Sequence, residues 1–226
     1  MKLFFIRLLN MVIGILLYAL GIIIAIKANV GYAPWEIFHV GLAQTTGLSL
    51  GIITIIVGFA ILVLVTVFGE KLGLGTVASI LLIGLFIDVI LIIDFIPTAD
   101  NMIIGIAMLL AGLYLIALAT YFYIKSAFGA GPRDNLMVVM TRKIKLPVGV
   151  CRCIVEFAAA LIGWLLGGMV GVGTAISVVA IGFFVQLTFR MFKFDVTAVR
   201  HESLKDTYMI LKNVMPGCLV KSGKSD

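Results

Sequence analysis

Six stretches of the chain, at about residues 8–26, 50–68, 74–96, 102–124, 148–169 and 173–191, run apolar for close to a bilayer crossing each, almost free of charge. A hydrocarbon core about 30 Å thick takes about 20 residues of α-helix, so each run is predicted to span a membrane. Barrel strands would alternate apolar with polar residues, whereas runs such as Ile22-Ile23-Ile24 are apolar on every face. The first run exceeds the roughly 7–15 apolar residues of a signal peptide and five others follow it, so it is expected to remain as the first helix. Only 12% of the chain is charged, against about 25% in a soluble domain, which excludes soluble and disordered classes. The fold class expected is an all-α polytopic membrane protein with six transmembrane helices.

The charges orient it. With a cytoplasmic amino terminus, every basic residue except Lys27 falls at or near the inner face, as the positive-inside rule requires, and both termini are cytoplasmic. The net charge of +6 is then explained by the lipid bilayer as partner, facing anionic headgroups, and no nucleic acid is expected. Cys151, Cys153 and Cys218 lie on that reducing side. The Cys151/Cys153 pair has no accompanying His or Cys to complete a metal site, so no metal or cofactor is expected.

Shifting the sequence by 98 residues superposes Gly14 on Gly112, Lys27 on Lys125, Gly31 on Gly129, Pro34 on Pro132, Gly51 on Gly149, Gly73 on Gly171, Thr76 on Thr174 and Gly84 on Gly182. At least 20 of the 77 positions from Gly14 to Ile90 are identical to their mates, which marks a duplicated unit. Residues 1–98 form one three-helix repeat, 99–193 the second, and 194–226 a basic cytoplasmic tail. Three crossings is an odd number, so the repeats are expected to be inverted, an architecture of many secondary transporters.

The longest connection in each unit carries Gly, then Pro, then an acid: Gly31, Pro34 and Glu36, and Gly129, Pro132 and Asp134. Proline at the first helical position and an acid in the first turn both start helices, so each connection is predicted to hold a short helix, too short to cross. Two placements are open. The helices re-enter, their starts facing each other and offering backbone donors to an anionic group; or they lie at the interface, with Trp35 in the aromatic belt, Arg142, Lys143 and Lys145 at the inner headgroups, and Glu36 and Asp134 as caps.

Polar residues inside the crossings are the other candidates. Asp88 and its repeat mate Gln186 each follow a glycine by one turn, and Arg152 and Glu156 lie four apart on one helical face. Arg152 is expected to snorkel to the inner surface while Glu156, deeper, pairs with it. Asp88 and Glu156 are candidates for a proton-coupled step; a structural ion pair plus one hydrogen-bonded acid is the alternative. Gly75 and Gly173 lie in tight turns in which Thr76 and Thr174 are placed to cap the next helix. Gly163, Gly167 and Gly171 recur at the spacing of close helix packing, with a homo-oligomer contact as a second use. Residues Tyr208 to Val214 suit a short amphipathic helix on the inner surface.

Taken together, G-Y-A-P-W-E-I-F-H-V-G at 31–41, G-L-G-T at 73–76, G-A-G-P-R-D-N-L-M at 129–137, Arg152, Glu156 and G-W-L-L-G-G-M-V-G-V-G-T at 163–174 resemble the YczE/YyaS/YitT family of bacterial integral membrane proteins, over roughly residues 10–190. The resemblance implies a bacterial cytoplasmic membrane and marks Pro34, Glu36, Gly75, Thr76, Asp88, Gly131, Pro132, Arg133, Asp134, Arg152, Glu156, Gly173 and Thr174 as motif positions, without assigning them chemistry.

The expectation is a small permease of an unknown small-molecule or ion substrate, bound between the repeats. Glu36, Arg133 and Asp134 stand at the helix starts, and Asp88, Gln186, Arg152 and Glu156 line or gate the path. A non-transporting scaffold or regulator acting through inner loops and tail is the competing class. No enzyme is expected: no span carries H-E-x-x-H, G-x-S-x-G or a His/Cys cluster, and His39 and His201 fall on opposite sides of the membrane.

Overall fold

The apolar runs become helices whose ends are set by a few residues. The computed structural model describes residues 2–67, 73–129, 131–166 and 170–199, which form eight helices: α1 (Lys2–Lys27), α2 (Pro34–Thr46), α3 (Leu50–Val67), α4 (Leu74–Ile93), α5 (Met102–Lys125), α6 (Pro132–Ile144), α7 (Val148–Leu165) and α8 (Val172–Met191). All but α2 and α6 are long and apolar enough to cross a membrane. At 13 residues each, α2 and α6 reach only about 20 Å. Pro34 and Pro132 open them at the first position, and Gly47 and Lys145, both left-handed, close them. The third crossing ends at Ile93 rather than 96: Asp94 turns left-handed although Phe95 and Ile96 remain apolar. His201, the 208–214 segment, Cys218 and Gly167 lie outside the described residues.

The 98-residue offset runs through the architecture. Helices α2, α3 and α4 begin and end 98 residues before α6, α7 and α8, and α1 and α5 end on Lys27 and Lys125. Two of the backbone hydrogen bonds that join the halves form a reciprocal pair. Gly75 N donates to Phe128 O at 2.8 Å, and Gly173 N to Val30 O at 2.7 Å, each donor and acceptor of one bond standing 98 residues from those of the other, with donor and acceptor halves exchanged. Gly31 and Gly129, at φ +111° and +128°, make these two clasps. A Cβ on Gly31 would fall 2.8 Å from Gly171 Cα, so the backbones touch where only glycine fits both the angle and the space.

Helices α1 and α5 form the centre, packed so closely that a Cβ on Gly112 would lie 2.7 Å from Gly21 O, with Ile15, Ile22, Leu109 and Leu113 buried between elements. The outer faces are apolar and exposed, Ile92 and Ile103 by 83%, a surface suited to contact with lipid. Past α8, residues 192–199 fold back onto the bundle. Phe192 stacks on Tyr121 at 4.2 Å, Phe194 meets Tyr121 and Phe189 edge-on, Val196 is buried, and Arg142 donates to Val199 O at 3.0 Å.

Candidate functional site

Helices α2 and α6 bury their starts. Pro34, Trp35, Glu36, Ile37 and His39 are buried in α2, and Pro132, Arg133, Asp134 and Asn135 in α6, so these helices enter the bundle, and their far ends reach the surface. Trp35 is not in an aromatic belt. Its ring lies beneath the Arg133 guanidinium, 5.0 Å from ring centre to Cζ, a cation–π contact strengthened by exclusion of water.

Around these starts the charged residues converge. Arg133 donates to Glu36 Oε1 at 3.3 Å and approaches His39 Nδ1 at 3.1 Å. Arginine can only donate, so Nδ1 accepts and the ring proton is on Nε2, which is buried without a partner. Arg152, on α7, donates to Asp134 and, at 3.3 Å, to the Tyr18 hydroxyl of α1, while its Nε lies 2.9 Å from Glu156 Oε1. Asp134 also accepts from the Tyr123 hydroxyl of α5, which in turn accepts from Gly131 N at 2.6 Å. Arg152 is 1% exposed and does not snorkel: two carboxyls and a phenol hold it inside.

The cluster borders a cavity walled on one side by Tyr18, His39, Thr54, Tyr123, Arg133 and Asp134 and elsewhere by Gly131 and Pro132, by Ser79 and by apolar residues of α3 and α4. Its free space is about 30 Å³, enough for about two waters at roughly 10–15 Å³ each. The two helix starts do not face each other across it. The first turn of α6 lines it, but from α2 only His39 does, and the Asp134 carboxyl stands where an anion would be repelled.

Asp88 and Gln186 stand apart from this cluster. Asp88 accepts from Ser49 Oγ at 2.6 Å and Gly51 N at 2.8 Å, and Gln186 accepts from Gly149 N at 3.0 Å. Each closes the first turn of a neighbouring helix, α3 or α7, from the helix that follows it. Pro34 and Pro132 start α2 and α6. Gly75 and Gly173 supply the clasps between halves. Thr174 caps as expected, accepting from Gly171 N at 3.1 Å and donating to Tyr32 O at 2.7 Å. The Thr76 hydroxyl is buried with no hydrogen-bond partner, so it is not a cap: its neighbour in the turn, Gly73, caps without any side chain.

Sequence reasoning did not single out Tyr18, His39 and Tyr123 for this site. His39 had a signal, standing three residues after Glu36 and so on the same helical face. The two tyrosines had none beyond a hydroxyl inside an apolar run. The repeat is also broken here. The mates of Arg152 and Glu156 are Thr54 and Gly58, and both of these line the cavity.

The sequence pattern of a family of unknown function (DUF6198) matches residues 5–190. The chain belongs to this family. It is 34% identical over 179 residues to an uncharacterized protein of Haemophilus influenzae, covering 77% of this chain and 81% of that one. It is 30% identical over 177 residues to the uncharacterized membrane protein YczE of Bacillus subtilis, with the same coverage, and 25% identical over 169 residues to YyaS of that organism, covering 74% of this chain and 84% of YyaS. The resemblance to YczE and YyaS drawn from the motifs is therefore shown by the alignments. No solved structure matches. With a relative named as a membrane protein and six spanning helices, the chain is a multi-pass membrane protein of the YczE-like family.

Proposed function

We propose that this protein is a small secondary transporter of a bacterial cytoplasmic membrane, with its substrate site between two inverted three-helix repeats and both termini in the cytoplasm. One observation carries the reading: a buried cluster of charged side chains built from both halves, Glu36 from the first with the neutral His39 beside it and Arg133, Asp134, Arg152 and Glu156 from the second, against a cavity inside a six-span bundle. Charged side chains within a membrane are expensive to keep, and their common use is a path for solutes or ions. A pair of hydrophobic residues would hold α6 against α7 at less cost.

The repeat supports the same reading. Equivalent clasps join the halves at Gly75–Phe128 and Val30–Gly173, and a bundle of two related halves can exchange one arrangement for its mirror around a fixed centre. A cavity for about two waters means that any larger solute needs the halves to part. The transporter uses no cofactor or metal, and we assign it no catalysis.

The test is flux into proteoliposomes holding the purified protein, over a panel of small amines, amino acids and inorganic ions, with and without a pH gradient. Saturable flux of at least one solute, lost in Arg133→Met, is the expected result. No flux of any solute would refute the proposal and leave the scaffold class standing.

A further inference from the structure

The central cluster does not balance its own charge. Glu36, Asp134 and Glu156 supply three carboxyls and Arg133 and Arg152 two guanidiniums, all at most 9% exposed. His39 adds nothing, because Arg133 Nη2 at 3.1 Å from Nδ1 leaves no room for a second ring proton there. Tyr18 from α1 and Tyr123 from α5 present neutral phenols. With every carboxyl ionised the cluster is one negative charge in excess, in the part of the molecule where an uncompensated charge is least tolerated.

The missing positive charge has to be small. Among the described residues, no three of His, Cys, Asp and Glu are arranged to hold a metal ion. The three carboxyls are also unequally served. Asp134 accepts from both Tyr123 and Arg152. Glu36 has one donor at 3.3 Å, and Glu156 has Arg152 Nε at 2.9 Å with the N–H off the line of a hydrogen bond. The carboxyls short of donors are the ones that gain from an O–H of their own. The adjoining cavity is lined by Arg133 and Asp134 and not by Glu36 or Glu156, so a proton entering from that side passes Arg133 to reach Glu36.

We infer that the cluster is a proton site holding one exchangeable proton on Glu36 or Glu156, and that this proton is the coupling ion of transport. The second clause rests on the permease reading; the first does not. Binding takes a proton from water onto a carboxylate oxygen, and no other bond changes.

Infrared difference spectra of the purified protein, recorded across a pH step around neutrality, read the proton directly. The wild type is expected to show a protonated-carboxyl C=O band at neutral pH that shifts in D2O and disappears in alkali. Glu36→Gln or Glu156→Gln should remove it, and Asp88→Asn should leave it. The wild-type spectrum alone decides the first clause should a variant fail to fold. Absence of the band, or its loss in Asp88→Asn with retention in both glutamine variants, overturns the inference. A melting temperature that rises with sodium or potassium relative to choline at equal ionic strength also overturns it, by making a metal ion the counter-charge. A band present without flux of any solute would keep the proton site while removing the permease; flux without the band would do the reverse.

Discussion

Replacing Arg152 by Met keeps side-chain length and removes the charge that Asp134, Glu156 and Tyr18 share. Breaking a buried ion pair from one side costs about 3–5 kcal/mol, because the abandoned carboxylate stays buried. The loss has a ceiling. A carboxyl can take a proton instead, and one of ordinary pKa near 4.3 does so at neutral pH for about 3.7 kcal/mol. The expected loss is therefore about 3–4 kcal/mol at neutral pH, shrinking by about 1.4 kcal/mol for each pH unit towards acid. At about 2–4 °C per kcal/mol for a chain of this size, that is a fall in Tm of about 6–16 °C. Cys151 is fully buried and Cys153 only partly, so a thiol-reactive fluorophore in a Cys153→Ser, Cys218→Ser background reports the unfolding. A loss below about 1 kcal/mol, no more than a surface ion pair gives, would refute the view that this guanidinium holds the cluster together. A loss equally large in acid would show that Arg152 acts by packing and not by charge.

Three further outcomes follow from the same geometry. Gly31→Ala, at φ +111° with its Cβ 2.8 Å from Gly171 Cα, is expected to cost at least about 1–3 kcal/mol, whereas Gly41→Ala, with nothing within 4 Å of the added carbon, should gain about 0.5–1 kcal/mol within α2; melting curves of the two variants check this. Asp88→Asn keeps an acceptor for Gly51 N, as Gln186 does for Gly149 N, so it should lose no more than about 1 kcal/mol and retain flux; abolished flux in a folded variant would put Asp88 back on the path. Deleting residues 200–226 should preserve flux, and deleting from Phe194 should lower Tm by stripping the ring contacts to Tyr121 and Phe189. A folded, transport-active protein that loses its cellular role with residues 200–226 would favour the regulator.

The fold was legible because a bilayer imposes length and apolarity on each crossing, and two prolines with following acids announced the short helices. What the sequence could not give was direction around a helix axis. Asp88 and Glu156 read alike, each an acid well inside an apolar run. Only packing shows that Asp88 turns outward to Ser49 and Gly51 while Glu156 turns inward to Arg152. Arg152 misled for the same reason: its sequence depth allowed escape to the headgroups, and α1 and α6 close that route with Tyr18 and Asp134. Tyr123 and Gly131 meet because of the left-handed turn at Ala127 and Gly129, a local conformation that glycine alone only suggested.

The repeat explains why site and scaffold separate. Positions that match across the 98-residue offset are glycines, one proline and turn residues that set backbone approach, together with apolar side chains such as Leu17, Val57 and Phe86 that pack the helices, and both halves need these equally. The functional groups are where matching fails. Thr54 and Gly58 stand in the first half where Arg152 and Glu156 stand in the second. A small hydroxyl and a missing side chain leave the cavity on the side where a second charged pair would otherwise fill it. Had both halves kept the pair, the centre would be packed and its added charges would cancel. With one half emptied, the centre keeps the space that the pair would have filled. The space therefore follows from divergence at two positions one helical turn apart, and the odd charge from a third, where Trp35 stands in the first half for Arg133 in the second beside matched acids at Glu36 and Asp134.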